Sequence, residues 1–172
     1  METKQPTDLP SPYQLKRGST LDQAKLLKFM QLTYQELFPE QSDFSHLKKT
    51  VSQYFSAKTP LWWIIFEEDT LQPVNPVACL WMGTGIDQVT GDRYGHIFLI
   101  YVMQQHRRRG LATQLINQAK TWVINQGSHQ LGLQVFDINQ PALNLYDNLG
   151  FKTQSRFMFK SVTSSFEGEI LD

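Results

Sequence analysis

The 172-residue sequence contains a single cysteine, Cys79. An internal disulfide is therefore excluded, and the chain suits a reducing compartment. No apolar run reaches the length a bilayer-crossing helix needs. An excess of charge is missing too. Sixteen Lys and Arg balance sixteen Asp and Glu, which removes any general drive toward nucleic acid or a membrane surface. Histidines are few, at positions 46, 96, 106 and 129, and they lack metal-ligand spacing, so no metal is expected. The opening METKQPTDLPSP is polar and carries three prolines, unlike a signal peptide or a helix. These features lead to an expected cytoplasmic location and to one domain over residues 13–162. Residues 1–12 read as a flexible lead-in and 163–172 as a tail or short strand.

What is present belongs to a folded protein: 41% hydrophobic and 12% aromatic residues. A short strand at Tyr13–Arg17 precedes Thr20-Leu21-Asp22-Gln23, which has the form of a capping box. It opens a helix whose apolar stripe runs Ala24, Leu27, Met30, Tyr34 and Leu37 or Phe38. A second helix carries Phe44, Leu47, Val51, Tyr54 and Phe55 on one face. Strands at 61–66 and 76–82 form a hairpin, and residues 83–94 read as a loop. The unbroken apolar run 96–102 predicts a central strand buried on both faces. Leu111, Leu115, Ala119, Trp122 and Val123 lie at helical spacing and end at Gly127. A strand follows over 130–136. Pro141 starts a helix bearing Ala142, Leu145, Tyr146 and Leu149, and a last strand covers 151–162. This order is a mixed α/β domain with 96–102 and 130–136 paired in parallel, and ligands in such sheets sit at the carboxyl ends of the strands.

Arg107, Arg108 and Arg109 stand at that end, immediately before a helix. Cations are disfavoured there, because the first turn of a helix is already electropositive. A bound anion reverses the sign, so the turn calls for a phosphorylated ligand.

Arg107-Arg108-Arg109-Gly110-Leu111-Ala112 resembles the acetyl-CoA signature of the GNAT superfamily of N-acetyltransferases, in which Arg or Gln, Gly, and Gly or Ala hold fixed places. Asn139-Gln140-Pro141-Ala142-Leu143-Asn144-Leu145-Tyr146, with Leu149-Gly150-Phe151, resembles the family's second segment. The resemblance covers about residues 13–162 and implies a central twisted mixed sheet flanked by helices. It implies that Arg107, Arg108, Arg109, Gly110, Leu111, Ala112 and Thr113 surround the coenzyme's pyrophosphate. The pantetheine arm then follows the main chain of Ile100, Tyr101 and Val102, with Asn139 bonding it or fixing the loop. Tyr146 becomes the general acid for the departing thiolate. An amine-bearing acceptor is implied but not identified, as is the strictness of the acyl group. Where relatives carry a carboxylate base, this chain has Phe98. His96, Asp137, Glu67, Glu68 or a water chain remain as bases. That gap motivates the alternative of a non-catalytic acyl-CoA-binding or regulatory module. An exposed edge strand leaves a homodimer open.

Overall fold

A computed structural model describes residues 9–67 and 75–162. Its centre is a five-stranded sheet in the simple order β1 to β5: Tyr13–Arg17, Leu61–Phe66, Pro76–Ile86, Arg93–Val102 and Leu131–Leu133. The first four strands pair antiparallel, and β4 pairs parallel with β5. Helices α1 (Gln23–Leu37) and α2 (Leu47–Tyr54) precede β2, α3 (Leu111–Asn125) links β4 to β5, and α4 (Gln140–Asn148) follows β5. Two cores result. Leu26, Phe29 and Met30 of α1 and Val51 of α2 pack with Trp63, Trp81 and Tyr101 on one face. Leu111, Leu115, Ile116, Ala119 and Val123 of α3 pack with Ile64, Leu80 and Ile97 on the other.

Several boundaries differ from expectation for local reasons. The capping box is centred one residue earlier. The Ser19 amide donates to the Asp22 carboxylate and the Leu21 amide to the Ser19 hydroxyl, across a 3₁₀ turn that leads into α1. The buried stripe of α1 is Leu26, Phe29 and Met30, while Ala24 is exposed. On α2, Tyr54 is half exposed rather than core. Half of residues 83–94 is strand rather than loop, because β3 continues to Ile86 and β4 begins at Arg93. Glycines hide this alternation in the sequence: a Cβ on Gly85 would lie 2.5 Å from the Tyr94 ring, and one on Gly83 2.7 Å from Phe98. β5 stops at Leu133, short of Val135.

The expected last strand is absent. Residues 152–162 lie exposed and form no ladder. A strand needs a neighbour to take its N–H and C=O groups, and no described strand lies beside this one.

Gly95 sets the distance between α3 and the sheet. A Cβ there would lie 2.2 Å from Val123 Cγ2 and 3.2 Å from Met82 Cε, both in the core. Gly95→Ala is expected to lower stability by about 1–3 kcal/mol through overpacking, with the Val123→Ala double variant recovering part of it. Urea unfolding of the three proteins tests this, and equal midpoints would show that the helix has room to move.

Candidate active site

The cleft begins with one extra residue in β4. Opposite β3, Leu99 pairs with Trp81 and Ile97 with Met82, leaving Phe98 as an unpaired bulge. A bulge shifts the alternation of main-chain groups by one and bends its strand. Before it, the Gly95 amide donates toward β5, to Gln130 O at 2.9 Å. After it, the Met103 amide donates to Val77 O on the β3 side at 2.9 Å. Alternation then directs the main-chain groups of Val102 and Ile100 away from β3. On that side β5 has already ended, since its last pair is Ile97 with Leu133. The strands part, and the peptide edge of residues 98–102 faces an opening instead of a neighbour.

The arginine turn closes the end of this opening. Arg108 has φ 61° and Gly110 φ 78°. A left-handed arginine is uncommon and costs energy, a pattern concentrated at functional turns. Such successive turn residues aim their N–H groups into a concavity that suits an anion. Helix α3 then starts without a side-chain cap at Gly110, and its first main-chain bond runs from the Gln114 amide to Gly110 O at 3.1 Å. The amides of Leu111, Ala112 and Thr113 are thus orphan donors at the positive end of the helix.

The three arginine side chains have separate fates. Arg107 turns inward: its Nε donates to Val102 O at 2.8 Å and its terminal nitrogen pairs with Glu36 at 2.6 Å. Arg109 donates to the Tyr13 hydroxyl at 2.8 Å, which also bonds His106 Nδ1 at 2.9 Å. Arg108 has no bonded partner among the described residues and stands exposed beside the orphan amides. Sequence reasoning ranks Arg107 as the defining cation; in the structure its guanidinium braces the strand end, and Arg108 is the uncommitted one.

Tyr146 lies on α4 in the same buried cluster as Val102 and Leu111. Its ring is 92% buried and packs on Phe151 at 5.5 Å. Burial pushes its phenol up to about 12, so it stays protonated throughout the neutral range. Asn139 caps α4 by accepting from the Ala142 amide at 3.3 Å, the plainer of the two roles the sequence allows.

The candidate bases scatter. His96 lies where β4 still pairs with β5, and burial lowers its pKa, keeping the ring neutral at pH 7. Glu67 is engaged at the β1–β2 edge with Gln14 at 2.5 Å and Lys16 at 3.7 Å. Asp137 is exposed beyond β5, and Glu68 lies outside the described residues. The carboxylate at the carboxyl end of β4 is a different one, Glu36 near the end of α1, which accepts from the Tyr101 hydroxyl and pairs with Arg107. Burial and this carboxylate raise the Tyr101 pKa. No local pattern marks Glu36, because its partners are 65 and 71 positions away. Beside it, Phe136 from the loop after β5 meets Phe38 at 5.0 Å and Tyr34 at 6.0 Å, linking that loop to α1.

Ala112 borders the orphan amides and packs in part against the core, so a bulky side chain there crowds the start of α3. Ala112→Trp is expected to weaken acetyl-CoA binding at least tenfold, about 1.4 kcal/mol, in a calorimetric titration. Undiminished affinity would rule out the turn as the pyrophosphate site.

Known proteins share this fold. Residues 25–151 match the model of the Acetyltransferase (GNAT) family. An N-alpha-acetyltransferase of Sulfurisphaera tokodaii is 27% identical over 143 residues, spanning 81% of this chain and 80% of that protein. A mouse thialysine N-epsilon-acetyltransferase is 38% identical over 74 residues, 42% of each chain. A predicted acetyltransferase of Clostridium acetobutylicum, solved with acetyl-CoA, superimposes with a TM-score of 0.67 at 15% identity, over 87% of this chain and 96% of that one. With the family matched from α1 to the end of α4, on a sheet that opens beside an uncapped helix, the chain is an acetyltransferase of the GNAT family.

Proposed function

We propose that this acetyltransferase carries the acetyl group of acetyl-CoA directly to a primary amine, with Tyr146 as general acid. The observation that carries the reading is the parting of β4 from β5 beside the uncapped start of α3. The opening offers extended peptide groups to the amide-bearing pantetheine arm, and the helix start offers orphan amides and Arg108 to the pyrophosphate. Ala112, small and half-buried, lets the phosphates approach the main chain. Pantetheine lies along Ile100 and Val102 in this reading, and the Val102 N–H polarises the thioester carbonyl.

The acceptor amine attacks that carbonyl carbon, and the C–S bond breaks as the tetrahedral intermediate collapses. The sulfur leaves as a thiolate and takes the phenolic proton of Tyr146, while the amine loses its extra proton to water or a nearby base. Burial keeps the phenol, at about 12, fully protonated at working pH, and the same shift makes it a weaker acid toward the thiolate. On the α1 side, Glu36 gives an approaching ammonium a carboxylate already oriented by two donors, and Tyr34, Phe38 and Phe136 supply an aromatic wall. The relatives' names span an α-amine and a side-chain amine, so the commitment is to a primary amine as a class.

A thiol-release assay with acetyl-CoA tests the reaction against peptides with free α-amines, thialysine, a polyamine and an aminoglycoside. Turnover on at least one is expected, and binding of acetyl-CoA without turnover on any would favour a non-catalytic module. With an active amine in hand, Tyr146→Phe is expected to lower kcat about ten- to a thousandfold with acetyl-CoA affinity retained.

The pH dependence has a definite sign. A raised phenol pKa keeps the acid form through pH 10 and loses it only as pH passes about 12, so kcat should show no Tyr146-dependent fall between pH 7 and 10. A descending limb near pH 9 that vanishes in Tyr146→Phe would contradict the buried acid.

A further inference from the structure

We propose that Tyr13, the first residue of β1, is a positioning residue for the coenzyme, its hydroxyl holding the arginine turn in the shape that receives the phosphates. The inference rests on the phosphate reading of that turn. It adds a residue that lies more than ninety positions away in sequence.

The path of the turn shows why an outside anchor matters. Tyr13 pairs with Phe66, and Ala78 with Val102, so β1 starts at the end of the sheet where β4 stops. Three strand spacings separate β4 from β1 there, roughly 14 Å at about 4.8 Å each. After Val102 the chain crosses over the intervening strand ends. The Met103 amide is bonded to Val77 O of β3 at 2.9 Å. The His106 ring then packs on Phe66 of β2 at 5.1 Å and edge-on to Tyr13 at 5.7 Å. At β1 the attachment becomes polar. The Tyr13 hydroxyl takes the Arg109 N–H at 2.8 Å and bonds His106 Nδ1 at 2.9 Å. From there the chain turns back through Gly110 into α3.

One oxygen therefore grips the turn on both sides of Arg107 and Arg108. Arg107 is held separately, by Val102 O and Glu36. Arg108 is left bracketed between tethers, and it is the residue at φ 61°. An L-residue enters that region against a steric cost, so its surroundings must impose the conformation. The same left-handed step directs the neighbouring N–H groups into the concavity. Loss of the hydroxyl frees Arg109 and His106 from β1, and the turn relaxes before the coenzyme arrives. Binding must then order it again, which lowers affinity and leaves the chemical step alone.

Tyr13 suits this task because its ring is fixed. It is 6% exposed and packs on Phe66 at 5.1 Å, and its amide is bonded to Pro10 O at 2.9 Å. Removing the oxygen alone therefore separates the tether from the packing.

The test compares Tyr13→Phe with the wild type in calorimetric titrations of acetyl-CoA. The Kd is expected to rise about three- to tenfold, with the circular dichroism spectrum retained. With an active amine, kcat at saturating acetyl-CoA should stay within about twofold of the wild type. A double-variant cycle reads the tether itself. Arg109→Met has already lost the bond, so adding Tyr13→Phe should raise Kd by less than about twofold more. Additive losses in the cycle would overturn the proposal, as would a wild-type Kd in Tyr13→Phe. A fall in kcat as large as the rise in Kd would also sink it, because that marks a general disturbance. Ala112→Trp separates the tether from the reading beneath it. Weakened binding there, with wild-type affinity in Tyr13→Phe, removes the tether alone; undiminished affinity in both removes the phosphate site as well.

Discussion

The unpaired residue Phe98 is the constraint on which the rest of the site depends. One extra residue in β4 changes which peptide groups face β5, and it bends the strand just where β5 runs out. Without it, the main chain of Leu99 and Tyr101 would point into the opening, and Ile100 and Val102 would be spent on β3. Unpaired peptide groups are normally a liability inside a sheet. Here they are left as a continuous edge aimed at the place where a coenzyme arm would lie. The large ring at Phe98 also packs among Trp81, His96 and Tyr54.

Much of this was legible in the sequence, and the limits are physical ones. Strand and helix identity followed from period, and the two motif blocks identified the donor. Boundaries failed where side chains carry no period: Gly83, Gly85 and Gly95 leave strand positions blank because rings and methyl groups fill the space a Cβ would take. The stripe of α1 was misread because its apolar residues are dense enough to fit two faces, and only packing against Trp63 and Tyr101 selects Leu26, Phe29 and Met30. The strand at 151–162 had the right alternation but no neighbour, and pairing is not a property of one segment. Glu36 was invisible for a similar reason, since its meaning comes from Tyr101 and Arg107, which are distant in sequence.

The arginine turn began as an electrostatic anomaly, and the structure divides its charge by function. Arg109 is tied to β1 through Tyr13, and Arg107 is tied to α1 and β4. Arg107 is compensated by the Glu36 carboxylate, which offsets its penalty at the helix start, whereas Arg109 meets only the neutral Tyr13 hydroxyl. Arg108 is not compensated, and it is the residue held in the left-handed region. Charge without a partner and backbone strain therefore coincide at one residue, beside three orphan amides. In the reading proposed above, that coincidence places the anion more narrowly than the motif does, because the motif weights Arg107.

The same tethering joins the two halves of the reaction. Arg107 is bonded at once to Val102, at the edge where β4 has left β5, and to Glu36 of α1. The Tyr101 hydroxyl adds a second link from β4 to α1, and Phe136 joins the far wall of the opening to the same helix end. In the reading proposed above, a displacement of α1 by an acceptor would be felt at the Val102 peptide, and a displacement of the turn by the coenzyme would be felt at Glu36. Effective positioning needs the reacting groups held to within fractions of an ångström. Across the opening that precision does not come from the pairing of β4 with β5, which ends at Ile97. It comes from side-chain bonds across the gap, with one arginine serving as the common strut.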